Sequence, residues 1–125
     1  MRLYLSDQHP TPYYLQIFEQ VRQGILRGDL VSGEPLPSIR QLAQDLRTSV
    51  ITVKRAYQEL EAAGLITTRP GLGTFVVPLS EESRKSLAHS VSRESLEKAI
   101  REARRLGLSG QEILRLVETL LKEGV

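Results

Sequence analysis

Two short amphipathic stretches, separated by three polar residues and followed at once by a glycine-turned β-rich segment, restrict what this chain can fold into more than any other feature. Ser38 stands three residues before Gln41, the capping-box spacing in which a hydroxyl and a side-chain amide satisfy orphan N–H groups at a helix start. A helix is therefore expected from Ile39 to Leu46, with Ile39, Leu42, Ala43 and Leu46 on one face and Arg40, Gln41 and Gln44 on the other. The turn Arg47-Thr48-Ser49 follows, and Ser49 is placed to cap a second helix that buries Val53, Ala56, Tyr57 and Leu60. Ala63-Gly64 ends that helix, because glycine accepts the left-handed conformation of a C-cap. Helices of about two and four turns joined this tightly make a helix-turn-helix. Behind them, Leu65-Ile66-Thr67-Thr68 and Thr74-Phe75-Val76-Val77 flank Arg69-Pro70-Gly71-Leu72-Gly73, a hairpin in the position of a wing.

Ahead of this block, Thr11 reads as an N-cap and Pro12 as the first helical residue. Ile17, Val21 and Ile25 then recur at helical spacing, with Phe18 and Leu26 widening the stripe until Gly28. Asp29 to Pro37 contains two prolines and a glycine and reads as a connecting loop. After Pro78 the chain becomes charged and helix-favouring. Leu87 and Val91 lead into Leu96, Ala99, Ile100, Ala103 and Leu106, a long helix ending at Gly107, with an interruption expected around Ser90 to Ser92. Ser109 and Glu112 form a second capping-box pair, opening a last helix with Ile113, Leu114, Leu116, Val117, Leu120 and Leu121. Those apolar residues span too wide an arc for one neighbouring helix, which makes a partner chain the natural cover. The expected fold class is mainly α with a small β-hairpin: a winged helix-turn-helix at residues 1–78, plus a short C-terminal helical dimerisation element at 79–125.

A length of 125 residues is about one domain's worth, leaving no room for a large second domain. Without cysteine there is neither a disulfide framework nor a thiolate metal site. No apolar run approaches the ~20 residues of a membrane helix, and the N-terminus lacks a signal-peptide pattern, so the expected setting is cytoplasmic with no membrane partner. The net charge of +2 says little by itself, but its placement is informative: residues 40–55 hold Arg40, Arg47, Lys54 and Arg55 against Asp45 alone. His9 and His89 are isolated, so no metal or other cofactor is expected. No nucleophile–base order, paired carboxylates or phosphate-loop glycine pattern can be assembled, which argues against an enzyme.

The run GEPLPSIRQLAQDL, then TVKRAYQELEAAGLI, then RPGLGTFV, resembles the DNA-binding domain of the GntR family of bacterial transcription regulators. The tail, with ARRLGLS and EILRLVETLL, is similar to the YtrA subfamily, whose C-terminal part is a small helical dimerisation element. The resemblance implies a homodimeric repressor, often of transporter operons, bound to double-stranded operator DNA. It carries a DNA contact onto Arg40, and the wing glycines Gly71 and Gly73 match the family's G-x-G turn. The family's recognition helix usually begins Ser-Arg-x-Thr-Val. The matching residues are Ser49, Val50, Ile51, Thr52 and Val53, so Val50 stands where an arginine is customary.

In a major groove, residues from Ser49 to Lys54 would meet base edges and phosphates. Ser49 and Thr52 can bond phosphate or base acceptors, Val50 and Ile51 can pack on thymine methyls, and Arg40, Arg47 and Lys54 supply charge. Arg69 can enter the minor groove beside the wing glycines. Ser38 and Ser49 serve equally as helix caps, and Arg55 reads as a surface partner of Glu59. Tyr57, Phe75 and Leu60 read as core, and Tyr13 and Tyr14 as packing residues. Leu96, Ile100, Ala103, Leu106, Ile113, Leu116, Val117 and Leu120 are the candidate dimerisation residues. Two other functions fit the pattern: a winged-helix module that binds protein, and a regulator switched by a small-molecule effector at a domain or subunit junction.

Overall fold

The N-terminal portion of the chain is built around one buried seam. In the computed structural model, which describes residues 1–125, helix α1 (Tyr13–Arg27) lays Ile17 and Val21 against α3 (Val50–Ala62), where Val53, Ala56 and Leu60 are fully buried. The α1 stripe falls every four residues and the α3 stripe every three to four, so each helix presents one apolar side to the other. Helix α2 (Ile39–Leu46) packs on α3 through Leu42 and Ala43. The chain divides into two compact units, Met1–Arg84 and Lys85–Val125.

The sheet has three strands rather than the two of the expected hairpin. β2 (Ile66–Arg69) and β3 (Gly73–Val76) pair antiparallel with Ile66 opposite Val76, and β1 (Pro35–Leu36) pairs antiparallel along the other edge of β3, with Pro35 opposite Phe75. Pro35 was expected in a loop. It is tolerated in a strand because β1 lies at the sheet edge, where a missing N–H costs no ladder bond. The bonds from Gly33 N–H to Val76 O and from Val76 N–H to Glu34 O, both 2.9 Å, continue this pairing. Leu36, Ile66 and Val76 turn inward to complete the core under the helices.

The first helix begins one residue later than expected, with Pro12 as its cap and Tyr13 as its first residue. The segment before it is tied down by side chains. Gln16 accepts from Ser6 N–H at 2.9 Å and donates to Ser6 O and Thr11 O at 3.0 and 2.8 Å. Gln20, one turn on, accepts from Tyr4 N–H at 3.0 Å and donates to Tyr4 O at 2.7 Å. Each amide thus mimics a neighbouring strand, and Gln16 is the buried polar residue of the unit. At the other end of α1, Arg84 donates to Leu26 O at 2.7 Å, a cation on an orphan helical carbonyl.

Helix α4 (Glu81–Arg105), most of which lies in the second unit, is continuous; no break occurs at Ser90 to Ser92. No glycine or proline lies within it, Ser80 accepts from Ser83 N–H at its start, and its ends carry Glu81 and Glu82, then Arg104 and Arg105, in the order the helix dipole favours. Arg93, Glu97 and Arg101 add ion pairs at one-turn spacing. Helix α5 (Gly110–Lys122) opens with a complete capping box: Ser109 accepts from Glu112 N–H at 3.2 Å and donates its own N–H to the Glu112 carboxylate at 3.0 Å. That backbone bond holds the Glu112 carboxyl below its ordinary value.

Replacing Gln16 by alanine deletes three hydrogen bonds and leaves the Ser6 and Thr11 backbone groups to solvent. Urea denaturation is expected to show a loss of about 2 kcal/mol, with faster amide exchange at Ser6. An unchanged unfolding midpoint would show that the arm contributes nothing to the unit's stability.

Candidate nucleic-acid interface

The helix pair is held at its turn by local chemistry. Ser38 Oγ accepts from Gln41 N–H at 3.1 Å, but the Gln41 side chain donates to Asp45 at 2.7 Å instead of returning to Ser38, so only half of the expected capping box forms. At the far end of α2, Arg47 adopts a left-handed conformation with φ 55°. Its N–H bonds Gln44 O and Thr48 N–H bonds Ala43 O, at 3.2 and 3.0 Å, the Schellman closure that usually employs glycine. An exposed arginine in this conformation carries strain of about 1 kcal/mol that glycine would not.

Ser49 then caps α3, accepting from Thr52 N–H at 3.1 Å and sharing a 2.8 Å bond with Thr52 Oγ1. From α3, buried Tyr57 reaches back and donates its hydroxyl to Pro37 O at 2.7 Å, fixing the entry to α2 against α3. Burial pushes the Tyr57 phenol well above its ordinary value.

These constraints leave a definite set of groups facing solvent. Arg40, Arg47 and Lys54 are exposed and take part in no ion pair within the chain. Val50 and Ile51, the first two residues of α3, are 49% and 79% exposed. Arg55 does not reach Glu59; its guanidinium stacks on the Tyr14 ring at 3.8 Å, so the start of α1 positions a cation of α3. In the wing, Gly71 and Gly73 have φ of 75° and 120°, which a Cβ disfavours. Arg69 pairs with Gly73 across the hairpin and lays its guanidinium 5.5 Å from the half-buried Phe75 ring, while Thr68 N–H donates to Glu61 of α3.

The structure therefore carries Ser38, Arg40, Arg47, Ser49, Val50, Ile51, Thr52 and Lys54 on two packed helices and the turn between them, with Arg69, Gly71 and Gly73 on the hairpin that follows. Two features escaped sequence reasoning. Leu72, at the wing apex, is 73% exposed; a side chain between two glycines of a tight turn has no core within reach, and that was the available signal. The Tyr14–Arg55 stack joins residues on separate helices, for which spacing offers no clue. In the second unit, Leu96, Ile100, Leu106, Leu116 and Leu120 are exposed, Ala103 and Val117 are half-buried, and Ile113 is buried within the single chain. No group of His, Asp or Glu side chains is arranged to hold a metal, and no helix is long and apolar enough to cross a membrane.

Three helices, a tight turn between the second and third, and a three-stranded sheet ending in a wing define a winged helix-turn-helix protein. The profile of the family described as "Bacterial regulatory proteins, gntR family" matches residues 13–76. The chain is 34% identical over 117 residues to the uncharacterized HTH-type transcriptional regulator YhcF of Bacillus subtilis (strain 168), spanning 94% of this chain and 96% of that one. It is also 34% identical over 107 residues to the HTH-type transcriptional repressor YtrA of the same organism, spanning 83% and 80%. Among solved structures, a GntR family transcriptional regulator from Listeria monocytogenes aligns with a TM-score of 0.75 at 29% identity, covering 92% of this chain and 98% of that one. The chain belongs to the GntR family of DNA-binding transcriptional regulators, whose members are not enzymes.

The Tyr57 bond gives a pH-dependent signature. Above about pH 10 the unfolded phenol ionises while the folded one does not, so the unfolded state binds fewer protons and stability falls as pH rises toward the folded value. Tyr57→Phe is expected to cost about 1 kcal/mol at neutral pH and to flatten that alkaline decline. Urea midpoints measured across the alkaline range check both, and an equally steep decline in the variant would place the titrating group elsewhere.

Proposed function

We propose that this chain is a homodimeric, sequence-specific repressor, in which residues 1–78 bind a pseudopalindromic operator and residues 79–125 join two copies. The observation that carries the DNA-reading part is the set of unpaired cations Arg40, Arg47 and Lys54 on and around a family helix-turn-helix. A partner rich in phosphate supplies the counter-charge that the chain itself lacks. The first turn of α3 enters the major groove, Arg40 and Lys54 grip its walls, and the glycines of the wing let the backbone approach the sugar-phosphate rim. A protein-binding use of the same helices is disfavoured, because these cations and Gly71 and Gly73 would then have no evident purpose.

The homodimer rests on the second unit. Helix α4 is 25 residues long and buries none of its side chains within one chain, while Leu96, Ile100, Leu116 and Leu120 stay exposed. A helix gains most of its stability from packing an apolar face, so a second copy is the economical cover. Two-fold symmetry then sets two half-sites about one helical turn apart, roughly 34 Å.

Titration against the upstream promoter duplex, with unrelated DNA as competitor, tests the first part. The protein is expected to resist competitor and to lose affinity steeply with salt, with a slope of about −0.9 per phosphate contacted, and Arg40→Ala is expected to weaken binding by about 1–3 kcal/mol. Weak, sequence-indifferent binding that Arg40→Ala leaves unchanged would sink the DNA reading. Sedimentation tests the second part: the native chain is expected to run as a dimer and the Leu116→Glu, Leu120→Glu double variant as a monomer. A monomeric native chain at micromolar concentration would refute it.

A further inference from the structure

The cap of the recognition helix leaves an unusual chemistry at its tip. Ser49 Oγ already accepts from Thr52 N–H, and the two hydroxyls share a further bond, so between them only one O–H proton remains uncommitted. Thr52 is in addition half-buried. No acidic residue lies in the first turn of α3, and the nearest cation on that helix is Lys54, one turn in. What the tip presents outward is therefore apolar: Val50 and Ile51, adjacent, β-branched and exposed.

Single exposed hydrophobic residues are ordinary on a protein surface. Two consecutive ones at the end of a helix that enters a groove are in contact position, and nothing within the chain covers them. Their branching at Cβ leaves one preferred χ1 in a helix, so they offer fixed methyl surfaces and lose little freedom on contact. Of the four base edges in the major groove, only thymine presents an apolar group, the 5-methyl; guanine presents two acceptors that neither residue can satisfy.

Resting on the DNA-reading assignment, we propose that Val50 and Ile51 specify the operator by packing against pyrimidine 5-methyl groups, so that each half-site is selected for thymine by methyl contact at the positions this turn faces. Charge from Arg40, Arg47 and Lys54 then positions the helix, and shape complementarity to the methyls decides register. The recognised feature is the methyl rather than the base pair as a whole, so 5-methylcytosine is accepted where cytosine is rejected.

The experiment begins with selection of bound duplexes from a pool with a random central segment, using the full chain. In the enriched site each thymine is then replaced singly by deoxyuridine, which removes the methyl and keeps every hydrogen bond. One or two thymines in each half-site are expected to lose about four-fold in affinity on this exchange, the others nothing. At those same positions 5-methyl-deoxycytidine is expected to bind better than deoxycytidine. The Val50→Ala, Ile51→Ala double variant, whose alanines favour the helix, is expected to bind more weakly but to treat thymine and deoxyuridine alike. If every thymine can be exchanged without loss, or if the variant keeps the discrimination, the methyl inference is overturned while operator binding stands. If no sequence is enriched at all, the DNA reading falls with it.

Discussion

The contact of Ile17 and Val21 with Val53, Ala56 and Leu60 is the constraint on which the rest of the winged unit depends. It fixes the axis of α3, and every candidate DNA-contacting group either rides on that helix or is tethered to it. Tyr57 ties the approach to α2, Glu61 holds the wing at Thr68, and Arg55 is steadied by Tyr14 of α1. Because these tethers radiate from one rigid element, a cavity at Leu60 would disturb the turn and the wing together, although it touches neither solvent nor ligand. The packing residues and the exposed candidate contact residues thus share a single 13-residue helix.

What was legible in the sequence follows from how local each signal is. The limits of α2 and α3 were readable because Ser38, Ser49 and Gly64 act within a few residues of themselves. β1 was not: two residues including a proline carry no strand signal, and their pairing exists only because β3 arrives alongside some forty residues later in the chain. The glutamines of α1 resemble surface polar residues until the arm they hold is in place. The expected break in α4 relied on the weak helix preference of serine, which the capped and ion-paired remainder of the helix outweighs. Of the candidate interface, the clustering of cations that includes Arg40 and Lys54 was legible in the sequence, whereas the commitment of the Ser49 and Thr52 hydroxyls to one another was not.

The two units are stabilised on different terms. The first carries its own core, with eight hydrophobic residues, from Ile17 to Val76, at 2% exposure or less. In the second, Ile113 is the sole buried hydrophobic residue, and ion pairs and caps supply the order. Exposed ion pairs contribute little each, so helices of this kind are held to their form chiefly by whatever meets their apolar side. Arg47 shows a comparable compromise within the first unit, where a residue disfavoured by backbone geometry keeps a cation in the turn.

The arm fastened by Gln16 and Gln20 is a vernier between two periodicities. Four residues of helix advance about 6.0 Å and two residues of strand about 6.6 Å, so successive rungs drift out of step by roughly 0.6 Å. The next position in the series is Gly24, where any side chain would press on Leu30, with the Leu30 Cδ1 atom only 3.2 Å from a Cβ built there. A single inserted residue between Gln16 and Gln20 would turn the second amide about 100° away and release the arm at Tyr4.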